Sequence, residues 1–337
     1  MLIMAYLGND PKFASEPQGA PGAAILGRAS IGKAAVLEDC AVVRADGHDV
    51  TIGDDFWLGE HATVHIAHDV YPTHIGNNVT ASRNSVIHAC DVGSNCFIGA
   101  DVVILDGSKV SDNVAIANGA IVFPRSKLQS GWLFAGQPAK PVRQLNAGEL
   151  AALQSSVRRA PRKDLRRGES NSVVHAPADL FFAVTANANG SLVLGEGVGV
   201  WFGCDLDAGR HSISVGENTN IQDNTTIRCV DRSVIIGRES TIGHNVTLID
   251  CEIADRSLIG IGAVVAPGTV VEEDVLLGAG GHTNPGQVLE SGWFYGGNPA
   301  RQISKLDDGK RQIISSTWPV YRDYARHFKA EQLTVGQ

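Results

Sequence analysis

The chain has 337 residues, 43% of them apolar, and a formal net charge of −8. That balance supplies enough apolar residues for two cores of ordinary size and argues against a protein that tracks nucleic-acid phosphates. Its length also lacks any continuous apolar run able to cross a bilayer, and residues 1–7 are too short for a signal peptide. Six cysteines without a C-x-x-C pair read as buried reduced thiols, so the expected location is cytoplasmic.

In chain order, the first clear element is an apolar beat of period six. Ile75, Ala81, Ile87, Val92, Ile98, Ile104, Val110 and Ile116 mark it, with one five-residue step. A period of six fits neither an amphipathic helix nor an alternating strand. With Gly, Ala, Ser or Asn beside the aliphatics, it marks a hexapeptide coil of about 18 residues per turn. Such coils predict a left-handed parallel β-helix, in which each aliphatic points into a narrow triangular core. The prism closes on the segment from Ser130 to Lys140, which contains Trp132, and the pattern at 147–159 then predicts a helix. The basic run at 158–167 reads as a solvated linker rather than a binding patch.

The beat then returns. Ile236, Ile242, Leu248, Ile253, Ile259, Val265, Val271 and Leu277 repeat it 161 positions later, off-step included. Earlier in each half the offset is 163, so the first copy carries two extra residues in the loop between His65 and Gly76. A second closing signature, from Ser291 to Arg301 with Trp293 and Tyr295, precedes a longer helix at 307–332, with a bend expected at Pro319. The expected fold is therefore all-β: two left-handed parallel β-helices, each followed by an α-helix. The expected organisation is a first β-helix at 1–142, a helix and linker at 143–171, a second β-helix at 172–304 and a C-terminal helix at 305–337.

The copies differ where chemistry could sit. His65 and His88 each follow an apolar head residue, 23 positions apart, which is one coil plus a bulged corner. That spacing stacks them at one corner, about 4.8 Å apart by backbone spacing, where two imidazoles can converge on a metal. His244 occupies a different slot, after Ile242 and Gly243. The second half has Arg228 and Ile249 in the slots of His65 and His88, and the first half has Arg83 in the slot of His244. Neither half alone holds three ligands at these slots, but the two together hold one set. The remaining corner histidines, His61, His68, His74, His175, His211 and His282, read as solvated, with His68 and His74 nearest the loop at 66–73. No acidic proton shuttle is assigned to that loop.

At these residues the chain resembles the gamma-class carbonic anhydrases. The segment Arg44-Ala45-Asp46 is similar to that family's Arg-Gly-Asp. Gly216-Glu217-Asn218-Thr219-Asn220-Ile221-Gln222-Asp223 matches its Gly-Glu-Asn-Thr-Asn-Ile-Gln-Asp motif, and Thr241-Ile242-Gly243-His244 its Thr-Ile-Gly-His segment. The resemblance covers almost the whole chain, twice. It implies a Zn²⁺ site (Fe²⁺ or Co²⁺ being possible occupants) shared between neighbouring prisms, with His65, His88 and His244 as ligands. It also implies an interface set by Arg44, Asp46 and Asp223, with Arg44 facing Asp223, and catalytic roles for Gln222 and Tyr295. The implied reaction is hydration of CO₂ to bicarbonate by a metal-activated water. The alternatives are hydrolysis of a small ester, thioester or amide, a hexapeptide acyltransferase, or a scaffold without activity. The expected partners are a small-molecule substrate and further copies of the chain in a homo-oligomer, with no nucleic acid and no membrane.

Overall fold

The computed structural model describes residues 1–158 and 172–335. The linker and nearly all of the basic run at 158–167 lie outside the described residues. The chain divides into two compact units, residues 1–166 and 167–337.

In the first unit, short strands stack in parallel from coil to coil. One face is an eight-stranded sheet running from Gln18–Gly19 to Trp132–Ala135, with Lys140–Gln144 as the last strand. Its final pair, Trp132–Ala135 against Lys140–Gln144, is antiparallel, so a hairpin closes the solenoid. The period-six aliphatics face inward. Ile87, Ile98, Ile104 and Ile116 are wholly buried in one continuous core that reaches Phe134. Each buried aliphatic contributes about 1.5–3 kcal/mol, but a lone coil leaves both ends of its core open, so stability comes from stacking. The corners explain the small residues. Asn78, Asn95 and Asn113 take left-handed backbone angles, which Asn tolerates. Their amides form a ladder: Asn78 Nδ2 donates to Asn95 Oδ1 at 3.0 Å, and Asn95 Nδ2 to Asn113 Oδ1 at 2.6 Å. Glycine is required beside them, because a Cβ on Gly93 would sit 2.6 Å from the backbone nitrogen of Asp112 in the next coil.

Helix α1 (Glu149–Arg158) lies on this unit against strands Val79–Ala81 and Cys96–Ile98. Its start is a capping box in which the Glu149 carboxylate accepts from the Asn146 amide at 2.9 Å. Gln154, buried, donates to the carbonyls of Asn78 and Cys96, and Arg158 reaches Asp55 at 2.8 Å.

The second unit repeats the plan. Its eight-stranded face runs from Phe181–Phe182 to Trp293–Gly296 and closes on the antiparallel strand Arg301–Lys305. Helix α2 (Asp308–Val335) is continuous through Pro319. It packs against strands Phe181–Phe182, Gly199–Val200, Asn220–Ile221 and Thr241–Ile242. Tyr321, Tyr324 and Phe328 of α2 meet Trp201, whose ring centroid is 5.2, 6.5 and 5.7 Å from theirs. In the first unit the slots of Phe181, Trp201 and Phe202 hold Gln18, Glu38 and Asp39. Each unit is thus a left-handed parallel β-helix followed by an α-helix. No described helix is long and apolar enough to cross a membrane.

Candidate metal centre

The parallel ladder sets the first corner. Strand Val86–His88 pairs in register with Thr63–His65, which puts His88 directly opposite His65. Their ring centroids are 5.5 Å apart, edge to face. His65 is buried and His88 partly so. The corresponding strands of the second unit pair in the same register, with Arg228 opposite Ile249. The Arg228 guanidinium pairs with the Asp205 carboxylate and donates to the Asp205 carbonyl at 3.0 Å, so an internal ion pair fills the slot where the first unit has an imidazole.

The loop after that corner accounts for the two-residue difference. In the second unit, residues 229–233 are drawn together by Asp250, which accepts from the amides of Val230 at 2.7 Å, Asp231 at 3.1 Å and Arg232 at 3.3 Å. Burial pushes the Asp250 carboxyl up, but these amides together outweigh it and hold it below its ordinary value. Its slot in the first unit is Ala89, and there the longer loop at 66–72 is tied by the Thr73 hydroxyl donating to the His65 carbonyl. That loop carries Asp69, an acid that the sequence reading passed over; it is exposed, with its carboxylate 3.6 Å from His68 Nε2.

A carboxylate decides which ring nitrogen of His88 is available. His88 Nδ1 is 2.6 Å from Asp106 Oδ1. A carboxylate can only accept, so the proton belongs on Nδ1 and the Nε2 lone pair points away from Asp106. In the second unit, buried His244 has Nδ1 3.2 Å from Asp223 Oδ2, and Nε2 3.2 Å from the Tyr321 hydroxyl. Asp223 is itself held by the Phe202 amide at 3.1 Å. Tyr321 therefore lies on the Nε2 side of the His244 ring. His65 is arranged differently: the Ile66 amide lies 2.6 Å from its Nδ1, and its Nε2 is 3.8 Å from Asp46 Oδ1. Ligation at Nε2 would put the ring proton on Nδ1 and remove the Ile66 contact. The donor chemistry suits a divalent cation: imidazoles, of which His88 is backed by a carboxylate hydrogen bond and His244 has a carboxylate close by.

Arg44 is wholly buried and forms an ion pair with Asp46 of the same unit. Gln222, also buried, donates to Asn220 Oδ1 at 3.2 Å and stands beside Asp223. Tyr295 stands apart from His244 within its own unit. It takes an interior core position three coils beyond Ile242 in the register Ile242–Ile259–Leu277–Tyr295, about 14 Å along the prism. Its hydroxyl accepts from the Glu290 amide at 2.8 Å and from Gln302 at 3.1 Å, so it closes the last coil and does not line a site at His244. The tyrosine at His244 is Tyr321. Asp106 was legible, since it lies 18 residues after His88, one position past a 17-residue coil and at the same corner. Tyr321 was not, because it lies 77 positions away on a helix outside the repeat.

Fold and repeat define the class: this is a hexapeptide-repeat β-helix protein. A model described as the hexapeptide repeat of succinyl-transferase matches residues 91–124 and 252–281. YrdA of Escherichia coli K12 is 35% identical over 130 residues, covering 36% of this chain and 71% of YrdA. The mitochondrial gamma carbonic anhydrase 1 of Arabidopsis thaliana is 35% identical over 160 residues, 45% of this chain, and the match spans 58% of the plant protein's length. Among solved structures, a hexapeptide transferase family protein from Anaplasma phagocytophilum aligns with a TM-score of 0.44 at 29% identity, covering 45% of this chain and 91% of that one. The chain belongs to the gamma carbonic anhydrase family of hexapeptide-repeat proteins.

Proposed function

We propose that this protein is a metal-dependent enzyme that hydrates CO₂ reversibly to bicarbonate, with one cation per chain held by His65 and His88 of the first unit and His244 of the second. The observation that carries this reading is the division between the copies. At matched register positions the first unit keeps His65 and His88 where the second has Arg228 and Ile249, and the second keeps His244 where the first has Arg83. Independent loss of function in two copies would not be expected to leave complementary parts of one site.

A divalent cation bound by three imidazoles, Zn²⁺ first and Fe²⁺ or Co²⁺ next, lowers the pKa of a coordinated water to about 7. The chain's own groups do the rest. Asp106 holds the ring proton of His88 at Nδ1, and Asp223 sets its negative charge beside the His244 ring. Gln222 and Tyr321 offer polar contacts beside His244, where substrate and departing bicarbonate are oriented. His68 and Asp69 on the exposed loop carry protons outward. In the homo-oligomer this reading expects, Arg44, Asp46 and Asp223 serve packing between copies of the chain. The buried thiols suit a reducing, cytoplasmic location.

Metal analysis of the purified chain tests this reading, with one cation per chain expected. A ratio near two or zero would refute the divided site. CO₂ hydration should then be lost in His88→Ala. A metal-loaded chain with no CO₂ hydration, but hydrolysis of small esters or thioesters, would instead identify a hydrolase.

A further inference from the structure

We propose that Asp106 is a positioning residue, selecting the tautomer of His88 that can ligate a metal. The proposal rests on the metal reading above. Ile104 pairs in register with Ile87, so Asp106 lies one coil beyond His88 at the same corner. Its Oδ1 is 2.6 Å from His88 Nδ1. Without a carboxylate there, a neutral imidazole is free to carry its proton on either nitrogen, and the Nε2–H form has no lone pair to offer a cation at that atom.

The duplication supplies an internal control. Where the second unit replaces His88 with Ile249, it also replaces Asp106, with Pro267. The His244–Asp223 contact of the second unit behaves differently: its slots in the first unit hold Arg83 and Glu60, so there the histidine is lost and a carboxylate stays. A surface aspartate that only served a coil corner would have no reason to change with the histidine. Asp106 is 41% exposed, so nothing about core packing demands it either.

The test uses the full chain with Asp106→Ala and Asp106→Asn. Zn²⁺ affinity is read by competition with a chromophoric chelator, and the His88 tautomer by ¹⁵N shifts of the metal-free protein. Asp106→Ala should weaken Zn²⁺ about 10–100-fold and move His88 toward the Nε2–H form. Asp106→Asn, whose amide oxygen still accepts from Nδ1–H, should restore most of both. Thermal melting of each variant checks that the fold is retained. Unchanged Zn²⁺ affinity in Asp106→Ala, or an unchanged Nδ1–H tautomer, overturns the proposal. If the wild-type chain binds no Zn²⁺, the metal reading falls, and the tautomer measurement still decides what Asp106 does to His88.

Discussion

Helix α2 carries Tyr321 to His244, and Phe328 is the anchor whose removal tests that link. Phe328 is wholly buried in the second unit. Its ring lies edge to face with Phe202 at 5.5 Å and Trp201 at 5.7 Å, and 6.3 Å from Phe181. Phe328→Ala exposes or empties about 150 Å² of ring surface, about 4 kcal/mol at 25 cal/mol per Å². That figure agrees with the about 3–5 kcal/mol typical of buried Phe→Ala changes. Tyr321 is seven residues earlier, two turns along the same helix face, so the loss falls on the segment that positions its hydroxyl. If α2 exchanges by undocking from the prism, 4 kcal/mol speeds its amide hydrogen exchange about 1,000-fold. Native-state exchange resolved over 318–330 should record this while the coils at 241–277 keep their protection. A change of less than tenfold in α2 would refute the view that these aromatic contacts hold the helix down.

Further outcomes follow from the same geometry. Tyr295→Phe should cost about 1 kcal/mol in urea unfolding, through the lost Glu290 and Gln302 bonds, and leave metal content unchanged; altered metal binding would return Tyr295 to the site. The Glu149 carboxyl is held down to about 2, first by its bond with Arg143 and then by the Asn146 amide. Because its folded value lies below the unfolded one, the contribution to α1 is present above about pH 4.3 and fades as pH falls toward 2; α1 amide exchange should accelerate across that window in wild type, with a weaker dependence in Arg143→Ala. Burial raises the Cys96 thiol to about 11 and Cys251 to about 12. All six cysteines are buried, so a thiol reagent at pH 8 should react slowly with the native chain and with six equivalents after unfolding.

The repeat itself was written plainly in the sequence. A solenoid is a local structure: each inward slot recurs after a fixed interval, so spacing alone places Ile87, Ile98 and Ile104 in the core. The register of His65 with His88, and of Arg228 with Ile249, followed from the same arithmetic. So did the two extra residues in the loop at 66–72. Tertiary structure alone decided what lies off that lattice. Helix α2 obeys no six-residue beat, and only its docking on Trp201 and Phe181 reveals that Tyr321, not Tyr295, reaches His244. The pairing of Arg44 with Asp46, and the capture of three amides by Asp250, were likewise settled by side-chain direction. Spacing fixes where a backbone slot falls in a coil; packing and hydrogen-bond geometry fix where its side chain points.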